Sequence, residues 1–486
     1  MPDDTATVLE THISWVYLVG DRAYKRKKPV RTAFLDYSTT DRRADACAEE
    51  VRLGRRLAPD VYLGVEPVPG DDWAVVMRRM PLDRRLSSLV GAGADVSDAV
   101  REIARRVAAL HLRSGRLPAA DAAASAGATL ARWEANHAEL AASRDRLAAT
   151  WPEERALELA REYVAGRGPL FTERIAAGRA VDGHGDLSPE DIFVLPDGPR
   201  ILDPIEFDPQ LRYGDGLADV AFLAMHLERL GAVQASADLL AWYGEFAADH
   251  WPASLAHFFI AYRAQVRAKV ACLSAAQRNA VAAPEADAFL ELAVDHLEAG
   301  RTRLVLVGGP PATGKTTVAT AVADANDWVM LRSDDVRKEL AGIPSTAPAA
   351  APLMAGVYTP AMTALTYGEL LHRARWLLER GESTVLDATW GDATWRDEAR
   401  RVASAAHAGM IELRCAAPVE LAAHRAAERG PDASDAGPDI AVELASRFDA
   451  WPEATGVDTT GAPAESCRRA LDLVSRLRPG AVPAVG

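Results

Sequence analysis

Hydrophobic positions in the first hundred residues fall into short β-rich runs separated by turn residues. Ile13–Val19 (ISWVYLV) is one such run, Gly20-Asp21 supplies a turn, and Ala23–Val30 resumes beyond it, which predicts a hairpin. Trp73–Met77 (WAVVM) predicts another short strand, whereas Asp41–Leu57 sets apolar residues at helical spacing among charges. From Ser97 to about Gly178 the period is mostly helical, as in Val100–Leu112 and Leu157–Val164. Ile192–Leu195 and Ile201-Leu202 flank turn residues and predict a second hairpin, and Leu217–Ala299 returns to helices.

The pattern changes at residue 300. Ala299-Gly300 is a helix stop, and Arg303–Val307 (RLVLV) is apolar on both faces, as a strand buried in a parallel sheet must be. Leu304–Val307, Trp328–Leu331, Thr384–Leu386 and Ile411–Arg414 are each followed by a helical stretch, which predicts a doubly wound parallel sheet. The expected domains are therefore 1–298, with a small lobe of about 1–95 and a helical lobe of about 96–298, and 299–486. A chain of 486 residues is too long for one core, in keeping with that division. The expected fold class is α+β for the first part and α/β for the second.

Charge narrows the function classes. The net charge is −14, spread as −10 over residues 1–300 and −4 over 301–486. Affinity for long nucleic acid or an anionic membrane rests on Lys and Arg, so neither partner is expected. Cys47, Cys272, Cys415 and Cys467 are scattered without metal or disulfide spacing. No run of apolar residues is long enough to span a membrane, and the acidic start MPDDTATVLE has no signal core. A cytoplasmic protein is expected, with no oligomeric state implied.

Candidate chemistry appears first at Gly309-Pro310-Pro311-Ala312-Thr313-Gly314-Lys315-Thr316-Thr317, which fits G-x-x-x-x-G-K-[ST] between a strand and a helix. Such a loop curls backbone N–H groups round phosphate oxygens at a helix N-terminus. Lys315 would reach the β/γ-phosphates and Thr316 would ligate Mg²⁺. In Arg332-Ser333-Asp334-Asp335-Val336-Arg337, at the ligand end of the second strand, one acid could accept the proton of an acceptor hydroxyl. The plainer reading is that an Asp caps the helix Val336–Leu340; the expected division gives the base role to Asp334 and the cap to Asp335. Asp387, after the strand Val385-Leu386, stands at a Walker-B-like position for Mg²⁺, or is simply a strand-end turn residue. Arg425 and Arg429 lie one turn apart and suit a lid bringing cations to transition-state charge, or a solvated basic face.

Together, GGPPATGKTT, RSDDVR, VLDAT and HRAAER resemble the AAA-type P-loop kinases, a group similar to gluconate kinase, zeta toxins, chloramphenicol phosphotransferase and phage polynucleotide kinase. The resemblance covers about residues 301–486. It implies that Asp334 is the general base and that Arg337 contacts a phosphate of the substrate.

A second signature lies at His184-Gly185-Asp186-Leu187-Ser188-Pro189-Glu190-Asp191-Ile192-Phe193, followed by Ile201-Leu202-Asp203. The spacing is that of H-x-D-x-x-x-x-N and a later Asp, in which the first Asp orients the acceptor hydroxyl and the other two residues hold Mg²⁺. Asp186 is thus the expected base, and Asp191 and Asp203 the metal ligands. Asp191 departs from the pattern by replacing Asn, which adds a negative charge beside the nucleotide. Upstream, Lys25 is the expected phosphate-binding lysine, with Lys27 and Lys28 as alternatives. Glu50, near the buried stripe of its helix, is preferred over Glu49 as the partner. Asp219 is expected to brace the loop beneath the site. The Gly-rich lid of protein kinases is missing, and Thr11-His12-Ile13-Ser14 stands in its place.

This half, about residues 5–298, resembles the aminoglycoside phosphotransferase and choline kinase-like family in THISWVYLVGDRAYKRKKPV, FLDYSTTDRR, HGDLSPEDIF and ILDPIEFD. The resemblance is to a bacterial branch often fused to a P-loop kinase. No Ala-Pro-Glu anchor follows Asp203, which argues against a protein kinase. The expected function is an ATP- and Mg²⁺-dependent phosphotransferase with two nucleotide sites, acting on hydroxyls of small molecules. The alternatives are one catalytic P-loop kinase unit regulated by an ATP-sensing kinase-like unit, or a nucleic-acid end kinase.

Overall fold

The predicted runs become two sheets of opposite character. The computed structural model describes residues 7–11, 13–31, 35–142, 153–277, 283–344, 356–428 and 446–476. The chain folds as two units: 1–158 with 171–251 and 256–296, and 159–170 with 252–255 and 297–486.

The first unit begins with an antiparallel sheet of β1 (Thr7–Glu10), β2 (Ser14–Val19), β3 (Arg22–Lys27), β4 (Tyr62–Val68) and β5 (Asp72–Arg78), in the order β1-β2-β3-β5-β4. The pattern does not predict β4, because Gly64 and Pro67 read as turn residues. The strand lies at the sheet edge, with a register shift between Tyr62 and Gly64, where a missing ladder donor is tolerated. The helix Thr40–Gly54 starts at Thr39, whose Oγ1 accepts from the Arg42 amide, and buries Cys47, Val51 and Leu53. It ends against Tyr62: a Cβ added at Gly54 would lie 2.2 Å from that ring. This close approach sets the Tyr62 hydroxyl 2.8 Å from the Asp203 amide, which donates to it.

A helical lobe follows, including Ser97–Arg113, Gly216–Arg229, Val233–Ala247 and Ala253–Gln277. Two short antiparallel pairs flank the loops that carry the signature residues. β6 (Ala180–Asp182) pairs with β9 (Tyr213–Asp215), and β7 (Ile192–Leu195) pairs with β8 (Gly198–Ile201).

The second unit holds β10 (Arg303–Gly308), β11 (Val329–Arg332), β12 (Thr384–Asp387), β13 (Gly409–Ala416) and β14 (Thr455–Asp458). All pairings are parallel, in the order β11-β12-β10-β13-β14. Every residue of β10 is buried, because helices cover both faces. Leu304, Leu306 and Leu386 pack with the helices Pro360–Leu378 and Ala393–Ala405. Val305, Val307 and Val385 pack with Lys315–Asn326 and Pro463–Arg476. The short edge strand β14 (TGVD) has one strong apolar residue, too weak a signal for the sequence alone. The fold is thus α+β with a sheet and a helical lobe, then α/β and doubly wound.

Candidate active sites

In the second unit the loop after β10 turns through conformations that glycine favours. Gly309 has φ +138°, and a Cβ there would meet the Cys415 carbonyl oxygen at 2.4 Å; Gly314, at φ +83°, caps the helix Lys315–Asn326. Gly309 N donates to Thr389 O at 3.0 Å, which ties the loop to the end of β12. Thr313 Oγ1 and Lys315 Nζ donate to Pro310 O at 2.8 and 3.0 Å. Thr316 Oγ1 donates to Asp387 Oδ2 at 2.7 Å, so hydroxyl and carboxylate face one point at the mouth of the loop. Hard oxygen donors of this kind suit Mg²⁺.

Asp334 faces the same mouth. Its carboxyl is raised above the usual range by burial, and Asp387 adds to this, while Arg337 and Lys315 oppose it. Arg337 Nη1 lies 3.2 Å from Asp334 Oδ1, and its guanidinium sits 4.8 Å over the Tyr358 ring. Asp335 does not cap the helix. The helix starts at Ser333, one turn earlier than Val336, with Arg332 at its cap position and no side-chain cap. Asp335 lies inside the first turn, half exposed and 3.9 Å from Arg332.

Arg425 Nη2 donates to Thr459 O at 2.9 Å. It lines a cavity of about 210 Å³ with Ala312, Gly314, Thr317, Gly461 and Pro463, on the flank of the phosphate loop. Arg429 lies outside the described residues, as do His12 and the loop 430–438.

In the first unit the lysine strand, the helix carboxylate and the loop after β8 converge. Lys25 Nζ lies 3.0 Å from Glu50 Oε1 and also bonds Asp203 Oδ1. Glu49 instead faces Arg52 on the surface. Lys28 binds Glu10 and Thr11 O. Lys27 is fully buried and bonds both Glu50, at 2.5 Å, and Glu206. Sequence reasoning missed Glu206; the only signal was a second acid in Asp203-Pro-Ile-Glu206.

Asp186, Asp191 and Asp203 form the acidic side of this site. Burial raises Asp186, with Arg267 opposing. Asp191 is pushed well up by burial and by the charges of Asp203 and Asp186. Desolvation by its neighbours also pushes the partly open Asp203 up, but Lys25 and Lys27 outweigh it and hold the carboxyl below its usual range. Beneath them, burial lowers His184 to about 4, so the ring is neutral; Nε2 donates to Leu202 O at 3.0 Å. Asp219 braces the loop: its oxygens accept from His184 N and Gly185 N, both at 2.8 Å, and from His111 Nε2 at 3.0 Å.

Asp219→Ala is expected to cost about 2–5 kcal/mol of folding stability, because it strands several buried donors. Denaturant melts check this; a loss under about 0.5 kcal/mol, the range of ordinary surface substitutions, would count against the brace. Burial raises Asp219, but His111 outweighs it and the folded pKa is lowered. The contribution is therefore full above about pH 4 and fades as the pH falls below it.

An AAA domain family model matches residues 304–448, the stretch that holds the phosphate loop, Asp334 and Asp387. A sugar kinase from Janibacter sp. HTCC2649 is 22% identical, with 37% of this chain and 98% of its own covered and a TM-score of 0.30. A choline kinase from Cryptosporidium parvum Iowa II is 9% identical, with 60% and 88% covered and a TM-score of 0.42. Uncharacterized protein Rv2004c of Mycobacterium tuberculosis is 42% identical over 461 residues, 93% of this chain and 92% of its own. That identity runs through both units, and the chain belongs to the same family as the mycobacterial Rv2004c.

Proposed function

We propose that this protein is an ATP- and Mg²⁺-dependent phosphotransferase with two nucleotide sites, each passing the γ-phosphoryl group to a hydroxyl of a small-molecule acceptor. The two catalytic domains are taken as 1–298 and 299–486. The observation that carries the reading is that each unit gathers its own lysine, its own metal-type oxygens and its own partly buried acid. In the P-loop unit these are Lys315, Thr316 with Asp387, and Asp334. In the kinase-like unit they are Lys25, Asp191 with Asp203, and Asp186.

Mg²⁺, when bound with ATP, neutralises charge on the phosphates. Gly309 to Thr317 would wrap the triphosphate with backbone N–H groups, and Lys315 would leave Pro310 O for it. The cavity beside Arg425 and Thr459 would take the base, with the guanidinium as one wall. Asp334 and Asp186 would each take the proton of an acceptor hydroxyl. Arg337, clamped between Asp334 and Tyr358, would hold an anionic group of the P-loop unit's acceptor. The net charge of −14 counts against a long nucleic acid as that acceptor.

ATP stoichiometry with Mg²⁺ tests the two-site reading; two per chain are expected. A metabolite-pool screen with labelled ATP, run on wild type, Lys315→Ala and Asp186→Ala, should give two products, each lost in one variant. One ATP per chain would sink the two-site reading.

A second reading is that the kinase-like unit senses ATP without turning it over. It is favoured by Asp191, which crowds a third carboxylate beside Asp186 and Asp203. Asp191→Asn is expected to tighten Mg-ATP binding there, because it removes a negative charge near the triphosphate. Calorimetry on the full chain carrying Lys315→Ala measures it. Weaker binding would make Asp191 a tuned ligand.

A further inference from the structure

Strand β3 carries two lysines two residues apart, so both point to the same face, the one that meets the helix Thr40–Gly54. Both are buried, and both reach one carboxylate. Lys25 lies against Glu50 Oε1, and Lys27 lies 2.5 Å from Oε2. Their other partners differ. Lys25 bonds Asp203, whose side chain is 43% exposed, so this lysine borders open space. Lys27 is 0% exposed and bonds Glu206, which also accepts from Tyr37 Oη at 2.6 Å.

Lys27 therefore cannot reach a triphosphate, yet it competes for the carboxylate that orients Lys25. A buried ammonium needs compensating charge. With Glu206 present, Lys27 has an anchor of its own, and one Glu50 oxygen stays committed to Lys25. Without it, Lys27 has only Glu50 and draws that carboxylate away. Glu206 also stands three residues beyond Asp203, so the same contact ties β3 to the loop that carries a candidate metal ligand.

We propose that Glu206 is a positioning residue for the kinase-like nucleotide site: by neutralising and holding Lys27, it reserves Glu50 for Lys25 and so fixes the lysine that meets the phosphates. The proposal rests on the reading that Lys25 and Asp203 hold Mg-ATP.

The test uses the full chain with Lys315→Ala and measures binding of Mg-AMPPNP and of adenosine, which has no phosphates. The reading itself requires Mg-AMPPNP binding that Lys25→Ala removes. If there is none, both the reading and the proposal fall. Given that binding, Glu206→Gln is expected to weaken Mg-AMPPNP about 10-fold or more and to leave adenosine unchanged, a split that general loosening would not produce. The double variant Lys27→Met/Glu206→Gln removes both charges and is expected to restore Mg-AMPPNP to within about 3-fold of the parent. Tyr37→Phe deletes only the hydroxyl on Glu206 and is expected to weaken Mg-AMPPNP about 3-fold; together with the double variant, it decides the case if Glu206→Gln does not fold. Mg-AMPPNP binding unchanged in Glu206→Gln, or equally weak in the double variant, overturns the proposal while the Lys25 site stands.

Discussion

Asp334→Asn is expected to lower turnover by the P-loop unit roughly 10²–10⁴-fold with ATP affinity unchanged. The carboxylate stands beyond the phosphate loop, between Arg337 and the Lys315–Asp387 mouth, where an acceptor hydroxyl could line up with the γ-phosphate. Its raised pKa makes it a better proton acceptor than an exposed aspartate, and asparagine keeps the shape while losing the base. Asp335 provides the control. It does not cap the helix and stands half exposed beside Arg332, and Asp335→Ala is expected to change stability by less than about 0.5 kcal/mol and turnover little. Turnover by the full chain, with Asp186→Ala silencing the other site, reads both variants. If Asp335→Ala abolished turnover while Asp334→Asn spared it, the roles would be reversed.

Lys315→Ala in the same background should abolish phosphoryl transfer by the P-loop unit, a loss on the order of 10²-fold or more, or about 3 kcal/mol of barrier. The lysine is the first residue of the helix Lys315–Asn326 and rests on the Pro310 carbonyl, a neutral acceptor that it can exchange for phosphate oxygens. Its loss removes a positive charge from where negative charge develops. The fold should survive, because the helix is held by Val318, Ala319, Val322 and Ala323 in the core and by Gly314 at its cap. A thermal melt checks that survival. Turnover near wild type would end the assignment of Lys315.

Some features were legible because their causes are local. The phosphate loop needs glycine at Gly309 and Gly314 for backbone reasons, and β10 needs an unbroken apolar run because both its faces are covered, so both are written in consecutive residues. Glu50 was legible through helical period, which sets it on the buried stripe. The edge strands β4 and β14 were not: one carries Gly and Pro, the other a single strong apolar residue, and pairing with a neighbour forms them. The helix at Ser333 likewise begins about one turn before Val336, its expected start.

The sites divide in the same way. Which residue types are available for phosphate, metal and base chemistry follows from the order of residues along the chain, because loop spacing fixes them relative to one another. Which partners they meet follows from the folded arrangement alone. Lys25 and Lys27 are equivalent by periodicity, and burial together with Asp203 and Glu206 separates them. Arg425 stands in a cavity wall because Thr459, 34 residues away, supplies its acceptor. A buried charge is stable only where the fold brings an opposite charge or a hydrogen-bonding group to it, and those partners come from segments that no local pattern joins.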